Sequence, residues 1–435
     1  MKRVQAMDCM NKRPQGHVAD FLLRHRLCAS AYDWEEQLDA FLREMDAVRA
    51  GASGSLKMIP TRLDMDAMPT EPVSVTAIDI GGTNVRSAIV TLNRNGVVRI
   101  ERLPAFRTPG IGSRVSIQEF FRIIVAGVQR HLSANPIGIC FSLAAAPLPD
   151  GDAVATAGAK QLDIPDLLGS RIGASFRAAA SELNLPSGQQ ITVINDTLAA
   201  ALGGKLDAAC AGYSGFVGFI YGTGTNIAYQ EPSGDMINVE SGAYCGFPTG
   251  DIDDLYDQRH IDPGCDRFEK MVSGGYQGGL MALVLEAAEG EGLLSAGFSH
   301  RLSGALAGEP LGSADISAFS NTPSGCSPIA LACSSETDRA TAAAICDAMT
   351  GRSAFLCSIT ISAALLRAQI GRQPSVPAFI TAEGSTYLRQ KDFREMLDAC
   401  MVEYARRRHG LYCEFHPVSD AVIKGTAIAA LRADR

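Results

Sequence analysis

The stretch Val73-Ser74-Val75-Thr76-Ala77-Ile78-Asp79-Ile80, then Gly81-Gly82-Thr83-Asn84, then Val85–Leu92, reads as strand, turn and strand. β-Branched residues crowd both flanks, and the residues between them tolerate φ > 0. A second copy runs Ser214–Tyr221, then Gly222-Thr223-Gly224-Thr225-Asn226, then Ile227–Gln230. A turn of Gly and Thr presents successive backbone N–H groups and a hydroxyl, which together form an anion-binding concavity. Two such turns in one chain point to a polyphosphate gripped from both sides. Asp79, at the end of the first strand, offers the oxygen that Mg²⁺ prefers. Taken singly, either turn reads equally well as an ordinary hairpin. Neither has the Walker sequence, and neither opens a helix as that motif does.

The 435 residues are enough for two or three domains with large cores. With 46% hydrophobic and 20% charged residues, the composition is that of an ordinary soluble globular protein. A net charge of −8 speaks against nucleic acid or a membrane surface as the main partner. No apolar stretch approaches the roughly 20 residues that span a bilayer. No apolar segment follows Met1-Lys2-Arg3, so no secretory signal is read there, and residues 1–16 are expected to be disordered. The 12 cysteines are scattered without zinc-type spacing, which fits reduced thiols and a cytoplasmic location.

Helical periodicity marks Val18–Leu27 and Trp34–Val48, where Trp34, Leu38, Phe41, Leu42, Met45 and Val48 share one face. Further helices are expected over Ser116–His131, Gly169–Leu183, Thr197–Leu206, Phe268–Glu286, Glu336–Gln369 and Asp392–Arg408. Strands are expected at Ile137–Phe141, Gln190–Asn195 and Pro377–Ala382, the last entering Glu383-Gly384-Ser385. Residues 296–328, rich in Gly, Ser, Ala and Pro, read as surface loop. The alternation predicts an α/β protein with mostly covered sheets.

Val193-Ile194-Asn195-Asp196-Thr197 lies where a strand gives way to a helix. Ligands in open α/β sheets bind at such carboxyl ends. An Asp in that place is also a favoured helix N-cap, so Asp196 alone has two readings.

Taken together, Asp79–Arg86, Phe141-Ser142, Asn195-Asp196-Thr197, Gly222–Asn226, Ile237-Asn238-Val239-Glu240 and Phe268-Glu269-Lys270 resemble the motifs of the hexokinase family, in order and spacing. That family is a sugar-kinase branch of the actin-like ATPase superfamily. The resemblance runs from about Ser55 to the C-terminus. It implies two ribonuclease-H-like α/β domains around a central cleft. Residues 72–196 with 418–435 would form the small domain, and 17–71 with 197–417 the large one. It also implies transfer of the ATP γ-phosphoryl group to the 6-hydroxyl of glucose or a related hexose, by a monomer or homodimer. Phosphoryl transfer asks mainly for positioning and charge stabilisation, with one group to accept the hydroxyl proton.

Asp196 matches the family's base, and Lys160 a lysine that contacts the sugar and the reacting oxygens. Ser142, Asn195, Asn226, Glu240 and Glu269 match positions that bond sugar hydroxyls. Carboxylates and amides suit that task because a hydroxyl-rich ligand needs both donors and acceptors. Gly81, Gly82, Thr83, Asn84, Arg86, Gly222 and Thr223 match the phosphate motifs, Gly384 and Ser385 the adenosine loop, and Asp79 the Mg²⁺ site.

Some positions depart from the family. Ala159 stands for a threonine, Ser241 for an aromatic residue, and Phe141-Ser142-Leu143-Ala144 for Phe-Ser-Phe-Pro; these bear on which hexose is preferred. Asp420-Ala421-Val422-Ile423 replaces an Asp-Gly-Ser-Gly turn of the nucleotide pocket. The alternatives to an active hexokinase or glucokinase are a catalytically weak hexose sensor and another sugar kinase of the superfamily. The repressor-type kinases among the latter usually carry a cysteine zinc cluster, and no such spacing occurs here.

Overall fold

A computed structural model describes residues 16–61, 69–94, 96–133, 136–156, 162–207, 212–260 and 262–431. In chain order its strands are β1 Ile59–Thr61, β2 Val73–Ile80, β3 Asn84–Asn93, β4 Gly96–Arg102, β5 Phe106–Arg107, β6 Ile137–Phe141 and β7 Ala145–Pro147. They continue with β8 Ala153–Ala155, β9 Ile191–Ile194, β10 Gly215–Tyr221, β11 Thr225–Gln230, β12 Met236–Asn238, β13 Ala378–Glu383 and β14 Cys413–His416.

Two large sheets share one plan. The first runs β4-β3-β2-β6-β9, with β5 beside β3; the second runs β1-β12-β11-β10-β13-β14. In each, an antiparallel meander of three strands (β2, β3, β4 or β10, β11, β12) is extended by two parallel strands. The fold is therefore a repeated unit, and the two Gly/Thr turns occupy equivalent corners between the first and second strands. This is the mixed-sheet, ribonuclease-H-like architecture expected from the sequence.

The helix Asp196–Asp207 packs on β10 and the helix Ala421–Ala430 on β2 and β6, and the two helices pack on each other. A Cβ on Gly203 would lie 2.1 Å from the Ala421 carbonyl oxygen, and one on Gly425 1.8 Å from that of Ala199. Only glycine lets these backbones approach so closely. Leu198, Ala199, Ala201, Val422, Ile423 and Ala427 are buried in the shared apolar core. The carboxyl ends of β2, β6, β9 and β10 are thereby brought near the N-termini of both helices.

Local chemistry accounts for the ends of two further helices. Asp33 caps Trp34–Arg49 by accepting the Glu36 N–H at 2.9 Å, and Trp34, Leu38, Phe41 and Met45 are buried. Ser335 caps the 33-residue helix Glu336–Ala368 by accepting the Asp338 N–H at 3.0 Å, and Gln369 ends it in the left-handed region. By length and apolar composition this helix could cross a bilayer, contrary to the sequence expectation. Here 94% of its most apolar window lies inside the protein.

Two helical expectations need correction. Phe268–Glu286 is two helices, Arg267–Val272 and Gln277–Gly290. Residues 296–328 are not simply loop, because they contain Phe298–Leu306 and Ser313–Asn321, with Phe298, Leu302, Ile316 and Phe319 packed into an apolar core.

Candidate active site

Asp196 opens its helix directly after β9, and its local geometry removes the N-cap reading that the sequence left open. The cap is Asn195: its Oδ1 accepts the Thr197 N–H at 2.9 Å, and its carbonyl accepts the Ala199 N–H at 2.9 Å. Asp196 is thus relieved of capping. Its Oδ1 accepts from the Thr197 hydroxyl at 3.1 Å, and the Ser142 hydroxyl bonds the same carboxylate. Burial, with repulsion from Glu240 and Asp79, pushes the Asp196 carboxyl up to about 7, against the smaller opposing pull of the two hydroxyls. A carboxylate poised near neutrality suits a proton acceptor. Ser142 is held at the end of β6 by its N–H bond to Ile80 O, 3.2 Å.

Asp79 is 1% exposed and pairs with Arg86, its register partner on β3. Nε and Nη2 of Arg86 approach Asp79 Oδ2 at 2.9 and 2.6 Å. Burial raises the Asp79 carboxyl, and Arg86 and the Cys140 thiol pull it back. Glu383, at the end of β13 in the other sheet, interacts electrostatically with both Arg86 and Asp79. Its own carboxyl is raised by burial, opposed by Arg86 and by backbone N–H donors at Ala421 and Gly384. The two sheets therefore meet in charge here. The sequence reading has Glu383 only as the first residue of the loop Glu383-Gly384-Ser385, without this electrostatic link to Asp79 and Arg86.

Both turns are braced from behind. Thr108 donates its hydroxyl to Gly81 O at 2.7 Å and its N–H to Thr83 O at 3.0 Å. Asn84 O accepts from Gly81 N at 3.1 Å. In the second turn Gly222 O accepts from Gly274 N at 2.8 Å and from the Thr386 hydroxyl at 2.9 Å; Thr223 O accepts from Gly275 N at 2.9 Å. These contacts explain the break in the Phe268–Glu286 pattern: Gly274-Gly275 leaves the helix to support the turn. With these carbonyls committed, what the turns offer an anion is N–H groups and hydroxyls. A Cβ at Gly82 would meet nothing within 4 Å.

Gly384 precedes Ser385 at φ 119°, and a Cβ there would lie 2.2 Å from Tyr221 O. The loop that Gly384 opens can thus pass over the second Gly/Thr turn only with glycine. The departure at Asp420-Ala421-Val422-Ile423 is resolved locally. Asp420 takes the left-handed conformation at φ 56°, and Ala421, Val422 and Ile423 are buried in the first turn of the final helix. Arg102 Nε donates to Asp420 Oδ1 at 3.3 Å.

The remaining residues matched to sugar-binding positions form one group. Asn226 Nδ2 donates to Asn238 Oδ1 at 2.8 Å, and Asn238 Nδ2 to Glu240 Oε1 at 2.8 Å. Glu269, on the Arg267–Val272 helix, accepts the Thr225 N–H at 3.0 Å and packs against Gly224 and Gly242. Ser142, Asn195, Asn226 and Glu240 thus stand at strand ends and loops, Asp196 at a helix start, and Glu269 on a short helix beside the second turn. Lys160 and Ala159 lie outside the described residues. An Asn in the buried strand β12 was the available signal for Asn238, since a buried amide requires partners.

Among the described residues no group of three or more His, Cys, Asp or Glu side chains is arranged to hold a metal ion. Mg²⁺ does not require one, because it is commonly held by one or two carboxylates, water and substrate phosphates. Asp79, beside the first turn, fits that manner of binding.

Two sheets of one plan, two phosphate-type turns and carboxylates between them define a two-domain sugar-kinase fold. Solved structures agree: a hexokinase from Schistosoma mansoni complexed with glucose has a TM-score of 0.75 at 21% identity, covering 98% of this chain and 99% of that one. A glucokinase of the ROK family from Streptomyces griseus, in complex with glucose and AMPPNP, has a TM-score of 0.52 at 17% identity, covering 81% and 98%. Two family models, both described as hexokinase, match residues 23–206 and 216–432. The chain belongs to the hexokinase family. Human Hexokinase-2 is 26% identical over 402 residues, 82% of this chain and 43% of its own length. Mouse Hexokinase-3 is 30% identical over 304 residues, 60% and 32%. The chain thus spans less than half the length of these two relatives.

Proposed function

We propose that this protein transfers the γ-phosphoryl group of ATP to the 6-hydroxyl of glucose or a related hexose. The observation that carries the reading is Asp196. It stands at the carboxyl end of β9 beside Ser142, relieved of capping by Asn195, with its carboxyl raised to about 7. In this reading Asp196 accepts the proton of the attacking hydroxyl. Ser142, Asn195, Asn226, Glu240 and Glu269 orient the sugar through its other hydroxyls. Lys160 joins them by family resemblance.

Gly81, Gly82, Thr83 and Asn84 from one sheet, and Gly222 and Thr223 from the other, hold the phosphates, with Arg86 adding charge. Gly384 and Ser385 carry the adenosine side. Bound Mg²⁺ would neutralise phosphate charge, with Asp79 as the carboxylate that holds it. Bringing the sheets together excludes water, the competing phosphoryl acceptor. A coupled ADP-release assay over a panel of hexoses tests the reading. Sugar-dependent ADP release is expected with at least one hexose, and none with any hexose would reject it.

A further inference from the structure

Asn238 has no task in the chemistry proposed above, yet it lies between two residues that do. It ends β12 at 2% exposure. Its amide receives Asn226 Nδ2 on one side and donates to Glu240 Oε1 on the other, both at 2.8 Å. The direction of this relay is fixed by the backbone. Asn226 Oδ1 accepts the N–H groups of Ile227 at 2.7 Å and Ser241 at 3.2 Å, so its NH₂ must face Asn238. Asn238 then turns its oxygen to Asn226 and its NH₂ to the Glu240 carboxylate. A bond ending on a charged acceptor is stronger than a neutral one.

The relay also brackets a strained residue. Glu240 sits at φ 53°, ψ 50°, the left-handed region that a side-chain-bearing residue enters at a cost of roughly 1–2 kcal/mol. Asn226 holds the N–H of the residue after it. The Lys57 and Met58 N–H groups hold the carbonyl of Val239 before it, at 3.2 and 3.3 Å. Asn238 holds the Glu240 side chain itself. Strain maintained at one residue by buried bonds on each side belongs to a site whose geometry matters.

We infer that Asn238 is a positioning residue that sets the Glu240 carboxylate and the Asn226 amide for hexose hydroxyls without touching the sugar. This rests on the sugar-kinase reading and adds a residue to it.

The test is Asn238→Asp, an isosteric change, with glucose binding measured by calorimetry at pH 8 and pH 6 alongside kcat. Ionised, the new carboxylate cannot donate to Glu240 and repels it; protonated, it can donate to Glu240 and still accept from Asn226. Among the described residues the ionisable groups around this point are Glu240, Asp196 and Glu269, with Lys57 exposed on the neighbouring segment. All are present in both proteins, so wild-type Kd at each pH is the reference for the variant, and what the ratio reports is the added carboxylate together with its coupling to Glu240. That ratio is expected to exceed about tenfold at pH 8, roughly 1.4 kcal/mol. It should shrink several-fold at pH 6, with kcat at saturating sugar changed much less. A ratio near one at both pH values overturns the inference. So does a pH-independent rise accompanied by a lower Tm, which marks a merely structural role. If wild type neither binds nor phosphorylates any hexose, the functional reading falls and this inference with it. If wild type is active and the variant binds hexose as wild type does, this inference alone falls.

Discussion

Arg86 is bound to Asp79 across the first phosphate turn, Nη2 to Oδ2 at 2.6 Å, while its own side chain remains half exposed. The residue proposed to meet the nucleotide's charge is therefore also the counter-ion of the carboxylate proposed to hold Mg²⁺. Arg86→Ala should raise the KM for MgATP by about tenfold or more, roughly 1.4 kcal/mol, with little change in hexose Kd. It should also lower Tm, because Asp79 would be left buried without its partner. Titration calorimetry with each ligand and a melting curve check this. Unchanged ATP affinity would remove Arg86 from the phosphate site.

The raised carboxyl of Asp196 makes a second expectation. As the proposed base it would act in its ionised form, so kcat/KM for hexose should rise with pH through about 7 and level above it. Asp196→Ala should lower kcat by about 10²–10⁴-fold and abolish that limb, with hexose still bound. A variant keeping more than about a tenth of wild-type kcat, well short of the loss expected for a missing general base, would show that another group takes the proton.

Much of this arrangement was legible in the sequence, for identifiable reasons. β2 and β6 were bounded to the residue because β-branched runs there end at Gly81 and Ser142, on a sheet covered on both faces. The two turns were legible because Gly and Thr at those points have few other uses. The break at Ser273–Tyr276 was hidden, since apolar periodicity continues through it and its cause is tertiary, the bonds from Gly274 and Gly275 to the second turn. The helices Phe298–Leu306 and Ser313–Asn321 were hidden by small-residue composition, which packing of Phe298 and Phe319 overrides. Between Asn195 and Asp196, only coordinates could show which one caps the helix.

Stability should carry the same signature as activity. Between the ordinary value of 3.8 and the folded value of about 7, native Asp196 holds a proton that the unfolded chain has lost. Folding stability from this group therefore falls as pH rises through that window. Asp196→Asn, neutral throughout, should be more stable than wild type at pH 8 and differ little near pH 4. The ceiling is ~4 kcal/mol, reduced by the partial exposure of the group. Denaturant titrations at the two pH values decide it, and a pH-independent difference would mean that Asp196 ionises normally.

The loop proposed to carry the adenosine side offers a test by backbone geometry rather than charge. Gly384 combines φ 119° with a Cβ position 2.2 Å from Tyr221 O and 2.8 Å from Gly222 N. Backbone atoms of a central strand cannot retreat as a side chain would, so Gly384→Ala must displace the loop itself. Backbone conformations of this kind cost a non-glycine residue about 1–3 kcal/mol, before any clash is counted. Because the loop lies against Tyr221 and Gly222 at the second turn, the loss should fall on nucleotide. The KM for ATP is expected to rise by at least about tenfold, roughly 1.4 kcal/mol, while calorimetric glucose affinity stays within about threefold, roughly 0.65 kcal/mol. Equal weakening of both ligands would indicate general unfolding, and native ATP kinetics would show that the loop does not serve the nucleotide.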